Sequence, residues 1–141
     1  MEANSADSHD VPEILLLTHG NMGTEMIKSA EMIIGEVKGV YSIPLTQNIS
    51  VEEYREQVRQ KIQKMGAGSI VLADLFGGTP CNTAAALSQE LPVCLVAGVN
   101  LTSLIDSIQL RETCQGRELC EQVAQSAQDG VRVICLSHAG V

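Results

Sequence analysis

Short apolar runs alternate along this chain with longer segments whose apolar residues recur at helical spacing. Such alternation is typical of α/β proteins, in which helices pack on a mainly parallel sheet. Several of the runs are apolar on both faces, which indicates strands covered by helices on both sides. We therefore predict a doubly wound α/β domain. Its predicted strands are residues 14–17, 40–45, 69–73, 93–97 and 131–136.

Capping signals support the helices that the apolar spacing predicts. Ser50 and Glu53 have the spacing of a capping box at the start of the clearest helix. Thr79 and Pro80 are typical of an N-cap and a first helical position, and Asn100 is a plausible N-cap. The predicted helices are residues 22–35, 50–65, 79–89, 100–108 and 117–128.

The length of 141 residues fits one domain. We expect residues 1–11 to be a disordered polar tail, residues 12–137 to form the domain and residues 138–141 to be a short tail. No apolar run reaches the roughly 18 residues that a membrane span needs, and the polar start lacks the apolar core of a signal peptide. We therefore expect a cytoplasmic protein.

The net charge and the cysteine content argue against several kinds of function for this chain. A formal net charge of −8 argues against binding nucleic acid, because the phosphate backbone attracts basic surfaces. The five cysteines form no CxxC pair and are expected to be reduced thiols, Cys94 and Cys135 among them packed in strands. No residues at metal-ligand spacing are visible, so we expect neither a metal nor a cofactor.

A histidine and an aspartate follow predicted strands that should run in the same direction. His19 comes after the first strand and Asp74 after the third. Because parallel strands deliver their carboxyl ends to one edge, the two side chains should meet there. A neutral imidazole is a nucleophile toward phosphorus, and a carboxylate on its other nitrogen would fix the tautomer. The same pattern also fits a solvated strand-end histidine without chemistry.

The segment 77–80 combines two glycines with a helix start. Gly77 and Gly78 allow a close backbone approach, and the amino end of a helix favours a phosphoryl dianion. The Thr79 hydroxyl is the obvious side-chain donor in this segment. Taken alone, the segment is better explained as an ordinary turn with a threonine cap. It matches neither a Walker loop nor a dinucleotide fingerprint.

Three motifs in order resemble the IIA domain of mannose-family sugar phosphotransferase systems. They are LLLTHG at residues 15–20, DLFGGTPCN at residues 74–82 and AGVNL at residues 97–101. The similarity runs from about residue 13 to residue 136. One departure is Cys81, which stands where an aromatic residue is common in the family.

The resemblance implies a phosphotransferase with a phosphohistidine intermediate, acting in sugar uptake. His19 matches the residue that accepts a phosphoryl group from phospho-HPr and passes it to a IIB domain, Asp74 matches the carboxylate that orients it, and Thr79 matches the hydroxyl near the phosphoryl group. It also implies a homodimer in which an antiparallel C-terminal strand, here residues 131–136, pairs with the partner's sheet. Contact with the membrane would come only through other subunits of the system.

Two other functions share part of this pattern. A IIA-like regulatory domain of a transcription regulator, controlled by histidine phosphorylation, would carry the same residues. A receiver domain phosphorylated on Asp74 is the second alternative, but the first strand ends in Thr18 and His19 rather than in the acidic pair that holds Mg²⁺.

Overall fold

The computed structural model describes residues 11–136, in which strands and helices alternate before a final pair of helices. Residues 1–10 and 137–141 lie outside the described residues. The predicted tail at residues 138–141 and all but the last residue of the predicted tail at residues 1–11 therefore fall outside them. The strands are β1 (Ile14–His19), β2 (Val40–Leu45), β3 (Ile70–Ala73) and β4 (Cys94–Ala97). The helices are α1 (Met22–Ile34), α2 (Val51–Lys64), α3 (Thr79–Leu87), α4 (Leu101–Leu110) and α5 (Gly116–Asp129).

The four strands form one parallel sheet in the order β2-β1-β3-β4. In its two central strands, Ile14 pairs with Ile70 and Leu17 pairs with Ala73. Residues 14–17 and 70–73 are fully buried, because helices cover both faces of the sheet. The doubly wound α/β prediction is therefore confirmed.

Successive residues of the central strands point into two separate hydrophobic clusters, as the two-residue period of a strand requires. Ile14 and Leu16 pack with α1, α4 and α5 through residues such as Ala30, Leu104 and Val123. Leu15 and Leu17 pack with α2 and α3 on the other face, in a cluster completed by Tyr54, Val58, Ile62, Ala84 and Leu87.

The helix starts agree with the sequence at two sites and differ at one. Ser50 and Glu53 form the predicted capping box, and Asn100 caps α4 through a 2.9 Å bond from the backbone N–H of Ser103. The N-cap of α3 is Gly78 rather than Thr79. Gly78 has extended backbone and its carbonyl already accepts the N–H of Asn82 at 2.8 Å, so the first helical residue is Thr79 rather than Pro80.

The predicted strand at residues 131–136 is wrong for the single chain. No strand includes these residues, and Val131, Val133, Ile134 and Leu136 are exposed. A strand requires a neighbour for its N–H and carbonyl groups, and within residues 11–136 this segment has none. Cys135 is accordingly exposed rather than packed in a strand.

None of the five helices between residues 11 and 136 has both the length and the apolar content needed to cross a bilayer.

Candidate active site

His19 and Asp74 meet at the carboxyl edge of the two central strands. His19 is the last residue of β1, and Asp74 directly follows β3. One carboxylate oxygen, Oδ2 of Asp74, accepts a 2.9 Å hydrogen bond from the backbone N–H of His19 and lies 2.9 Å from Nδ1 of the imidazole. With the proton on Nδ1, the ring orientation is fixed and Nε2 is left with its lone pair.

The electrostatics of this pair favour an ionised carboxylate beside an accessible ring. The Asp74 side chain is 8% exposed, whereas that of His19 is 49% exposed. Burial by itself raises the pKa of Asp74, but hydrogen bonds from the backbone and ring of His19, with the charge of the ring, outweigh it and hold the pKa below its usual value. The other oxygen, Oδ1, is buried without a hydrogen-bond partner within residues 11–136. Within residues 11–136, the hydrogen bonds of the Asp74 carboxylate therefore all join it to His19.

Gly78 lies against the edge of the imidazole. A Cβ at this position would stand 2.8 Å from Cε1 of His19 and 3.4 Å from Nε2. Because real Cβ atoms do not approach other atoms as closely as 2.8 Å, only glycine leaves the ring where it lies. Gly78 thus has a steric role that the sequence analysis did not identify.

The loop before α3 is closed by its own backbone and by one side chain. Gly77 has a φ of +86°, a conformation that favours glycine, and the N–H of Gly78 donates to the carbonyl of Leu75 at 3.2 Å. Nδ2 of Asn82 donates to the carbonyl of Gly77 at 3.1 Å. Asn82 was part of the DLFGGTPCN motif, but its position inside a predicted helix gave no sign that it holds the preceding loop.

The amino end of α3 lies beside Nε2 as a result of this loop. Gly78 is the N-cap, and the half-buried Thr79 takes the first helical position. Helix starts carry unpaired N–H groups and a partial positive charge, which favour an anion. The structure thus brings Gly77, Gly78 and Thr79 to the same edge as His19 and Asp74.

A second turn fixes the backbone that follows β1. Gly20 has a φ of +57°, and its N–H donates to the carbonyl of Leu45 at 2.7 Å. The fully buried Thr18 accepts a 2.8 Å bond from the N–H of Gly23. His19 therefore stands between two ordered turns, and Thr18 is a supporting residue that the sequence analysis did not single out.

Large apolar side chains are exposed on the loop that follows Asp74 and at the start of α1. Phe76 is 84% exposed, and Leu75 and Met22 are also exposed. Exposed apolar groups around a half-exposed polar residue are typical of protein interaction sites.

Asn100 is not part of the site around His19. Its amide nitrogen donates to the carbonyl of Ala127 at 3.0 Å, and its amide oxygen caps α4.

Within residues 11–136, no three histidine, cysteine, aspartate or glutamate side chains stand close enough together to hold a metal ion.

Comparison with known proteins relates the chain to sugar phosphotransferase (PTS) components. The EIIA-man family, described as "PTS system fructose IIA component", matches residues 13–124. The fructose-specific EIIA component of Bacillus subtilis (strain 168) is 27% identical over 128 residues, which cover 89% of this chain and 87% of the relative. The mannose-specific EIIAB component of Escherichia coli (strain K12) is 26% identical over 125 residues, covering 86% of this chain and 39% of the relative.

A solved structure shows the same fold. The mannose/sorbose-specific IIA subunit of the phosphotransferase system from Enterococcus faecalis superposes with a TM-score of 0.83 and 30% sequence identity. The match covers 90% of this chain and 97% of that subunit.

Proposed function

Since the chain belongs to the mannose-family IIA components of the sugar phosphotransferase system, we propose that it is a phosphocarrier that accepts a phosphoryl group from phospho-HPr on His19 and donates it to a IIB domain. The observation that carries the proposal is the single carboxylate oxygen of Asp74 that engages both the backbone and the ring of His19. The transfer takes place in the cytoplasm, and only other subunits of the system contact the membrane.

Nε2 of His19 is the nucleophile in this proposal. Its lone pair forms the new N–P bond as the bond between phosphorus and the donor histidine of HPr breaks. The donor imidazole leaves with the electron pair of the broken bond. Positive charge then develops on the His19 ring, where the ionised Asp74 stabilises it through Nδ1. Discharge to the IIB domain reverses these steps, with Nε2 as the leaving atom.

The phosphoryl group is held at the amino end of α3. The proximity of Gly78 to Nε2 supports a position for the transferred phosphoryl group next to this helix start. We assign the N–H groups of Gly77 and Thr79 and the hydroxyl of Thr79 as its donors. Gly78, whose own N–H donates to the carbonyl of Leu75, lines the site through its close approach to the ring. Phosphoryl transfer depends mainly on positioning and on neutralising charge, which such donors supply without covalent chemistry.

The exposed apolar residues around His19 serve as the docking surface for both partners. A carrier must release each partner after transfer, so a small interface is expected. Phe76 and Leu75 supply apolar contact beside the reacting nitrogen. An open site of this kind admits a second protein, whereas a closed pocket would exclude the donor histidine.

We also propose that the chain forms a homodimer through residues 131–136. The strands β2 and β4 are the free edges of the sheet, and the apolar segment 131–136 is exposed. A strand without a partner in its own chain can satisfy its backbone on an edge strand of a second copy. The antiparallel C-terminal strand expected from the family would then form only in the dimer.

The test is phosphorylation by phosphoenolpyruvate, enzyme I and HPr, followed by mapping of the labelled residue and addition of a cognate IIB domain. We expect the label on His19. The labelled protein should be stable in alkali and should transfer the label to the IIB domain. The variant His19→Ala should not be labelled, while Glu25→Gln, an exposed change on α1, should behave like the parent.

Three other outcomes would contradict the proposal. Continued labelling of His19→Ala would remove His19 from the mechanism. Label that hydroxylamine releases would indicate an acyl phosphate on Asp74, as in a receiver domain. Label on His19 that passes to no IIB domain would favour the regulatory domain of a transcription regulator.

A further inference from the structure

A cavity of about 580 Å³ opens at the amino end of the sheet, opposite the edge that carries His19. It lies where Glu13 precedes β1, Gly39 precedes β2 and α2 ends at Lys64. Its volume falls within the range of roughly 300–1,000 Å³ that is usual for small-molecule sites. The charged and aromatic residues that line it are Glu13, Lys38, Tyr41, Lys64, Arg111 and Glu112.

Arg111 is a buried cation in the wall of this cavity. It is only 8% exposed. Nη1 donates to the carbonyls of Pro12 and Gly39 at 3.3 Å each, and Nη2 donates to that of Lys38 at 2.6 Å. Nε is buried without a hydrogen-bond partner within residues 11–136.

Within residues 11–136, no carboxylate forms a direct ion pair with Arg111. Burial lowers the pKa of Arg111, although the charges of Glu112 and Glu13 act in the opposite direction. A buried cation that only neutral carbonyls hold retains a strong preference for an anion nearby.

Glu13, one of the two carboxylates in the lining, already accepts hydrogen bonds from other residues. Oε2 of Glu13 accepts the hydroxyl of Tyr41 at 2.8 Å, and Oε1 accepts the N–H of Gly66 at 3.3 Å. Lys38 and Lys64 add two further cations to the lining, and Glu112 adds a second carboxylate. The lining is thus net positive, although the whole chain carries a formal net charge of −8.

We propose that this cavity binds a small molecule that carries a phosphate group. A phosphate group suits a lining in which three cations outnumber two carboxylates. It presents several acceptor oxygens to arginine and lysine donors. The site is separate from the phosphoryl group on His19, since the two lie at opposite ends of β1. Binding here does not depend on phosphoryl transfer.

The test is a titration of the full chain with inorganic phosphate at constant ionic strength, followed by backbone amide NMR. Saturable shifts are expected at Gly39 and Gly66, which line the cavity. Shifts confined to Gly77 and Gly78 would place the anion at α3 instead and would overturn the proposal. Shifts that grow without saturation would also overturn it.

A double variant, Lys38→Gln with Lys64→Gln, tests the lining itself. Both lysines are exposed, so the fold should survive, whereas replacing Arg111 would remove three bonds to backbone carbonyls. Phosphate affinity at Gly39 and Gly66 should fall on the order of tenfold, since each exposed charge contributes modestly. Lys28→Gln, outside the cavity, should bind like the parent; equal affinity in all three proteins would overturn the proposal.

The two proposals fail separately. The double lysine variant should still be phosphorylated on His19, and the His19→Ala variant should still bind phosphate at the amino end of the sheet. Loss of phosphate shifts at Gly39 and Gly66 in His19→Ala would contradict a separate site.

Discussion

The α-carbon of Gly78 lies so close to the His19 ring that a Cβ there would come within 2.8 Å of Cε1. We predict that Gly78→Ala displaces the imidazole and slows phosphorylation by phospho-HPr about 10- to 100-fold, because small displacements of a reacting group are costly. Gly66→Ala is the matched control, since a Cβ at that position meets nothing within 4 Å. Labelling rates measure the effect. Equal rates in the two variants would show that the contact with Gly78 has no influence on transfer.

Replacing Asp74 by asparagine keeps the size of the side chain but removes its charge. The variant should still fold, because one oxygen can still accept the backbone N–H of His19. Phosphoryl transfer should slow about 10²- to 10⁴-fold, because the tautomer and the developing ring charge lose their support. Single-turnover transfer from phospho-HPr measures this, with the exposed change Asp129→Asn as control. A rate equal to that of the parent would remove Asp74 from the mechanism.

The lowered pKa of Asp74 predicts a pH dependence of stability. The folded-state pKa lies below the ordinary value of 3.8, so the carboxylate stabilises the fold fully above that value. The contribution is lost as the pH falls through the lower, folded-state pKa. The difference in unfolding free energy between parent and Asp74→Asn should therefore be constant at neutral pH and shrink below about pH 4. Urea unfolding at a series of pH values tests this, and a difference independent of pH would contradict it.

Phe76 is predicted to act in docking rather than in chemistry. Phe76→Ala should lower kcat/KM for phosphorylation by phospho-HPr about tenfold, because an aromatic side chain that becomes buried on binding contributes strongly to an interface. Chemical phosphorylation of His19 by phosphoramidate, a small donor, should be unchanged. Met32→Ala is the control, because Met32 has a similar exposure of 88% but lies in the last turn of α1. A parallel loss with both donors would assign Phe76 to the geometry of the site instead.

The dimer prediction depends on backbone hydrogen bonds in residues 131–136. Val133→Pro removes an N–H and should shift the protein toward monomer, whereas Val133→Thr keeps a β-branched residue and should leave the dimer intact. Light scattering over a range of concentrations measures the mass. A parent protein that stays monomeric throughout would reject the dimer, and a dimer unaffected by Val133→Pro would place its interface elsewhere.

The local patterns of the sequence predicted the four strands that form the sheet and the meeting of His19 and Asp74 at one edge. Buried strands and capping residues are short-range features, and the rule for parallel strands then brings His19 and Asp74 to one edge. The distance between them depends on β1 and β3 being neighbours, which the sequence alone did not establish.

The details that the sequence did not predict depend on contacts across the fold. Whether Gly78 or Thr79 caps α3 is decided by the carbonyl that Gly78 offers to Asn82, and the steric role of Gly78 depends on a ring 59 positions away in the chain. Residues 131–136 have the composition of a strand, but none of the strands between residues 11 and 136 pairs with them.

The peptide N–H of His19 anchors the Asp74 carboxylate independently of the imidazole. Because that N–H belongs to a strand of the sheet, the oxygen would keep its place in the proposed transfer while the ring gains or loses a phosphoryl group. Little reorganisation would then be needed in either direction. Loading and unloading would meet the same preset counter-charge, which suits the proposed exchange between two partners close to equilibrium.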